Sequence, residues 1–186
     1  MRIAAIARTL PVRFSTAFRM TKSTATTVFA LSNAGNGKKV SVMNEEKSIP
    51  ALPPELLEKS NSILVNTGVV TLASVDENGY PRICVLSCLQ PKDIGTILVS
   101  TGAYGTKASH FMKNPKASVC VFDKRDSVTL VGEVEIVTDM AVKKDIFLDW
   151  MYKHFSGVDD PNYCVLAFHP TVATVWIEGH FATYRV

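Results

Sequence analysis

The sequence has no run of apolar residues near the roughly 20 that a membrane-spanning helix needs. Its four cysteines, Cys84, Cys88, Cys120 and Cys164, form no C-x-x-C pair. The four histidines, at 110, 154, 169 and 180, show no metal-ligand spacing. No G-x-x-x-x-G-K-[ST] loop occurs, and no G-x-G-x-x-G follows a strand-like segment, so the common nucleotide-cradling motifs are absent. Paired carboxylates or a nucleophile with a base at a usable spacing are also missing. These absences remove zinc modules, P-loop enzymes and dinucleotide-binding folds from consideration. The cysteines read instead as small hydrophobes in a reducing compartment: Cys84 and Cys88, four apart on one expected strand, lie roughly 13 Å from each other, too far to bond.

What is present describes a globular chain of 186 residues, 47% hydrophobic and 20% charged, with a net charge of +3. That charge is unevenly placed. Residues 1–42 hold seven basic residues and no acid, which leaves the remainder at −4. A domain with no basic excess is a poor candidate for nucleic-acid binding. The leader, residues 1–45, is rich in Arg, Ser and Thr, with Ile3, Ile6, Leu10 and Phe14 on one helical side and Pro11 interrupting them. It reads either as an organellar transit peptide or as an extension without a role. The expected compartment is accordingly the cytoplasm, or the mitochondrial matrix if 1–45 is such a peptide. Fold reasoning is confined to the domain at 46–186.

Within it, Pro54 suits a helix start and Glu55 and Glu58 its positive end, which predicts a helix over about 54–65. Val69–Val75 and Tyr80–Leu89 alternate as strands around Asp76-Glu77-Asn78-Gly79, a hairpin signal. Further strands are expected at Thr96–Ser100, Ala117–Phe122, Ser127–Val137, Tyr163–Phe168, Thr171–Ile177 and His180–Arg185, with a turn at His169-Pro170. Gly132 inside a strand marks a bulge or barrel corner. Ala141–Phe155 carries Val142, Ile146, Phe147, Trp150 and Met151 at helical spacing, which predicts one helix whose aromatic side packs. Helices are too sparse for a doubly wound sheet. The expected class is mainly β: a six- to seven-stranded antiparallel barrel, Greek-key-like, with inserted helices.

One stretch, LVSTGAYGTKASHFMKNPKASVCVF at 98–122, places Ser100, Thr101, Thr106 and Lys107 around a turn that leads into a short helix. It reads as an ordinary connection or as an anion site, because free N–H groups and the helix dipole converge at such an end. Arg82 heads the strand side that also carries Cys84, Leu86 and Cys88, with Ile83, Val85 and Ser87 opposite. An arginine there either wets its tip or reaches an anion. Glu133 and Glu135 share a strand side and read as solvated residues.

Four segments in order, LASVDENGYPRICVL, LVSTGAYGTKASHFMKNPKASVCVF, VTLVGEVEIV and HPTVATVWIEG, make residues 66–178 resemble the FMN-binding split-barrel family of pyridoxamine 5′-phosphate oxidase and the general-stress flavoproteins. The resemblance implies a homodimer with two FMN sites at the subunit interface. It implies phosphate contacts for Arg82 and Lys107, with Ser100 and Thr101 near the ribityl phosphate. Thr106 stands where an arginine usually precedes the phosphate-binding lysine. Ile83, Cys84 and Val85 would border the isoalloxazine through their backbone. Trp176 would stack near the flavin across the dimer, or pack the barrel end. Ser87 stands where the oxidases place a substrate-phosphate lysine, Ser127 where a glutamine faces the flavin, and the basic C-terminal signature is absent. The stress-protein branch is the nearer likeness, and the departures speak against classical pyridoxamine-phosphate oxidation. The expected function is an FMN-dependent oxidoreductase acting on a small unknown partner. The alternatives are a flavin- or haem-binding stress or sensor module without turnover, and a deazaflavin-dependent reductase.

Overall fold

The computed structural model describes residues 48–186; the expected leader lies outside the described residues. Helix α1, Pro54–Thr67, enters through a proline in its first turn and ends at Gly68, whose left-handed φ of 62° lets its N–H cap the Leu64 carbonyl. It buries Ile63 and Leu64, while the Ser60 hydroxyl donates to the Leu56 carbonyl at 2.6 Å. Strands β1 (Val69–Val75) and β2 (Pro81–Leu89) form the expected hairpin. Asp76 organises its tip: its carboxylate accepts N–H groups from Asn78 and Tyr80 at 3.0 and 2.9 Å.

Next come β3 (Ile97–Gly102), α2 (Thr106–Lys113), β4 (Lys116–Asp123), β5 (Asp126–Val137) and α3 (Met140–Asp145), then β6 (Tyr163–Ile177) and β7 (His180–Arg185). The sheet order is β3-β2-β1-β4-β5-β6-β7, and a further β3–β6 pairing closes six strands into an antiparallel barrel with β7 appended. The mainly β expectation therefore holds. Alternation explains the core. Val70 and Leu72, Val119 and Val121, Val128 and Leu130, and Val175 and Ile177 all point inward and are buried. Cys88 and Cys164 are buried among them, Cys84 and Cys120 are half-buried, and all four thiols are free. Burial pushes the Cys88 thiol up to about 11.

Two expectations are corrected. Residues 141–155 are not one helix. The α3 helix stops at Asp145, and a 3-10 turn follows at Asp149–Lys153. Leu148 between them is extended, its N–H donating to the Met151 sulfur at 3.1 Å. The break lets Ile146, Met151 and Phe155 pack as one buried cluster with Leu89, Tyr163 and Val165, and that burial overrides helical propensity. Trp150 and Val142, expected on the packed side, are 40% and 38% exposed.

The second correction concerns Tyr163–Ile177, which is one fifteen-residue strand rather than two. Pro170 is tolerated because it falls after the last β3 partner, Phe168, and before the first β7 partner, Val172. Opposite it the register shifts between Val131 and Gly132. A Cβ on Gly132 would lie 2.0 Å from the His169 carbonyl oxygen, so the sharp bend read from this glycine is borne out. No helix among the described residues is long and apolar enough to cross a membrane.

Candidate functional site

Two seams of the barrel are short of ladder pairs: β1 meets β4 only from Thr71–Cys120 to Ala73–Ser118, and β2, paired with β1 from Pro81 to Ser87, meets β3 only at Cys88–Val99 and Leu89–Leu98. On its other edge β3 pairs with β6 from Ile97 to Gly102, so the opening lies between β2 and β3. The two strands diverge into a cleft of about 550 Å³, lined on one wall by Val85, Leu86 and Ser87 and on the other by Ser100, Thr101 and Gly102. A strand with a ladder on one side only directs alternate N–H and C=O groups to its free edge, and those groups need partners.

Arg82 stands at the hairpin end of β2, outside the lining of this cleft. Arg82, opposite Ser74 in the ladder, places its guanidinium 3.5 Å from the Asp76 carboxylate, with 65% of its side chain still exposed. The Asp76 carboxyl is held below its ordinary value, first by the Tyr80 N–H, then by Asn78 and Arg82, against an opposing push from burial. Two residues on and on the same strand side, the Cys84 thiol is raised by burial, and the positive charge of Lys107 partly offsets that rise.

Helix α2 starts at Gly105 without a side-chain cap, with Thr106 exposed and Lys107 half-buried in its first turn. Its leading N–H groups have no acceptor within the helix. The preceding turn is clamped by Asn162: Ala103 donates to the Asn162 carbonyl at 2.8 Å and Tyr104 to its Oδ1 at 3.2 Å. Asn162 is fixed in turn by Asp160, whose carboxylate accepts the Asn162 N–H at 2.8 Å.

Of the residues singled out from sequence, Val85, Ser100 and Thr101 line the cleft, while Arg82, Ile83, Cys84, Thr106 and Lys107 are not in its lining. Ile83 and Val85 present side chains outward, 69% and 68% exposed. Within one chain Trp176 stands elsewhere, on β6 between Ser127 and Phe181, its ring 5.7 Å from that of Phe181. Glu133 and Glu135 are exposed, as expected of solvated residues, and Glu135 lies 3.5 Å from His169. Sequence reasoning missed Trp150, His154, Phe155 and Asn162, which also line the cleft. Trp150 had been placed on a packed helix side. The one available signal for Asn162 was its turn-forming neighbour Pro161.

A second surface runs across the outside of the barrel. One rung passes through Ile83, Ala73, Ser118, Val131, Val172 and Arg185, and the next through Val85, Thr71, Cys120, Thr129, Thr174 and Thr183. Arg185, at the margin, is the only charge in those twelve positions. Two adjoining rungs with almost no outward charge are unusual for a surface meant only for water.

Chemically, two cations, hydroxyls and an uncapped helix start suit a phosphate ester. The free strand edge suits a flat ring with its own hydrogen-bonding edge. Residues 56–177 match the pyridoxamine 5′-phosphate oxidase family. No curated protein matches the sequence. Among solved structures, a protein related to general stress protein 26, of the pyridoxinephosphate oxidase family, from Clostridium acetobutylicum is 25% identical. Its TM-score is 0.65, over 73% of this chain and 97% of that one. General stress protein 26 from Bacillus anthracis is 22% identical with a TM-score of 0.61, over 71% and 99%. A heme binding protein from Mycobacterium smegmatis is 17% identical with a TM-score of 0.60, over 73% and 60%.

Proposed function

The chain belongs to the pyridoxamine 5′-phosphate oxidase family, and from that premise we propose that it is an FMN-binding flavoprotein. In this reading the phosphate is held by Arg82, Lys107, Ser100, Thr101 and the first turn of α2, and the isoalloxazine lies along the free edge of β2 at Ile83, Cys84 and Val85. Bound FMN would supply hydride or electron transfer with a small redox partner. The chain itself contributes charge for the phosphate, backbone groups for the ring, and the cleft wall of Trp150 and His154 beside it. The observation that carries the reading is the edge of β2 from Arg82 to Ser87 without a ladder partner on the β3 side, facing Ser100 and Thr101 across the cleft.

The working unit in this proposal is a homodimer. The nearly uncharged outer rungs support it, because a second copy would remove that face from water, bringing Trp176 of one subunit toward the cleft of the other.

The test is a titration of purified protein with FMN, followed by flavin fluorescence quenching and visible absorbance, then addition of NADPH. We expect micromolar affinity and a bleached flavin band on reduction. No binding at tens of micromolar FMN ends the reading. Flavin that binds but is not reduced favours a storage or sensing role. The fold shared with the haem-binding neighbour makes haem the competing ligand: a Soret band on adding haem, without FMN uptake, would select it.

A further inference from the structure

His110 is a buried titratable group that the site above does not use. It lies on α2 one turn beyond Lys107 and is 7% exposed. Its Nδ1 is 2.9 Å from the Ser74 hydroxyl, itself 2% exposed, and its Nε2 is 4.0 Å from the Glu77 carboxylate. Ser74 is the ladder partner of Arg82, and Asp76, between Ser74 and Glu77, holds the Arg82 guanidinium. The tip of the β1–β2 hairpin therefore grips both cations' supports: α2 through His110, and Arg82 through Asp76.

We infer that His110 is a proton-linked positioning residue for the phosphate end of the cleft, held by Ser74 on one ring nitrogen and facing Glu77 with the other. The inference rests on the phosphate-binding reading above. An apolar side chain would pack this helix face without needing a buried partner. The Ser74–His110 pair fits two protonation states without moving the ring. Neutral, the ring accepts the Ser74 hydroxyl proton at Nδ1 and directs Nε2–H toward Glu77. Protonated, it donates from Nδ1 to the Ser74 oxygen, the hydroxyl having turned, and Nε2–H is drawn to Glu77 more strongly.

Proton uptake thus adds charge without disturbing the packing. That charge appears one helical turn from Lys107 and beside the strand partner of Arg82. Ser74 and Glu77 of the hairpin face its ring, and the other charged groups on these neighbouring elements are Asp76 and Arg82 of the hairpin and Lys107 and Lys113 of its own helix. The inward residues of β3 and β5, Val99, Leu130 and Val134 among them, are uncharged. A phosphate bound at Arg82 and Lys107 favours the protonated ring, and by reciprocity the protonated ring favours the phosphate.

The experiment compares FMN with riboflavin, which lacks the phosphate, by fluorescence quenching at several pH values across the histidine range, about pH 6 to 8. The proteins are the wild type, His110→Gln and Glu77→Gln. The phosphate monoester itself loses charge near pH ~6, so the comparison with His110→Gln isolates the imidazole. As pH falls from the upper to the lower end of that range, wild-type affinity for FMN should gain about three- to tenfold relative to His110→Gln, the scale of one charge near a half-buried ion. Riboflavin should show no such difference, and Glu77→Gln should reduce the gain. Superimposable FMN profiles for wild type and His110→Gln overturn the inference while leaving the FMN reading intact. So does a riboflavin profile that changes as much as that of FMN. If His110→Gln does not fold, an unchanged FMN profile in Glu77→Gln, whose side chain is 64% exposed, overturns it as well. Failure of the wild type to bind FMN at any pH ends both readings.

Discussion

The two seams of this barrel differ in kind. Between β5 and β6 the ladder runs from Ser127–Trp176 to Val137–Val165, interrupted only by the register shift at Gly132. Between β2 and β3 it consists of Cys88–Val99 and Leu89–Leu98. The first seam buries its inward residues, Val128, Leu130 and Val134 on one strand and Phe168, Ala173 and Val175 on the other. The second leaves backbone groups of β2 without ladder partners and gathers Ser100, Thr101 and the start of α2 beside them. Closure on one side holds the protein together, and incomplete closure on the other leaves donors and acceptors for a ligand. A barrel closed equally all round would have no such edge to offer.

The comparison breaks most sharply at Gly132. Gly132→Val would drive side-chain atoms against the His169 and Pro170 backbone, which lies 2.0–2.8 Å from an ideal Cβ. We expect a loss of about 4 kcal/mol or more, in the range of severe core disruptions, measured by urea denaturation. A variant within about 1 kcal/mol of wild type would show that this glycine does not pin the closed seam.

On the open seam, Lys107→Ala and Arg82→Ala should each weaken FMN binding by about 1.5–3 kcal/mol, ten- to over a hundredfold, with the melting temperature little changed. Unchanged affinity in both would place the phosphate elsewhere. Val131→Asp, on the uncharged outer rung, should leave the stability of the folded chain within about 0.5 kcal/mol yet shift sedimentation from dimer to monomer. A dimer that persists would move the subunit contact off these rungs.

The smallest effect concerns the hairpin tip. Because its N–H partners hold the Asp76 carboxyl below its ordinary value, the charged form stabilises the fold above about pH 4. That contribution is lost as pH falls through the folded value. Thermal melts of Asp76→Asn across the acid range should show a flatter acid limb, and an unchanged limb would mean that Asp76 does not tie Arg82 to the tip.

Much of this architecture was legible. The bounds of β1 and β7 agree with expectation, because Asn78-Gly79 and strict alternation are local signals. Strand alternation and the turn at 98–122 marked Arg82 and Lys107 as candidate anion ligands, and the family pattern gave them a phosphate role, while their spacing alone also suits an ordinary connection. The broken segment after Met140 was not legible: its apolar spacing fits a helix, and only the cluster around Leu89, Tyr163 and Val165 breaks it. Trp150, His154 and Asn162 were invisible as cleft residues for the same reason, since each arrives from a segment distant in sequence. His110 was one of four histidines without spacing until α2 set it against Ser74.

By itself, then, the chain determined which residues face inward along each strand, where the β1–β2 hairpin turns, and that a barrel rather than a layered sheet would result. Each of these follows from periodicity and turn chemistry acting over a few residues. Which seam closes and which stays open was decided only in three dimensions. There β3 lies between β2 and β6, laddered along its whole length to β6 but only through Leu98 and Val99 to β2, an arrangement of distant strands that no local pattern encodes.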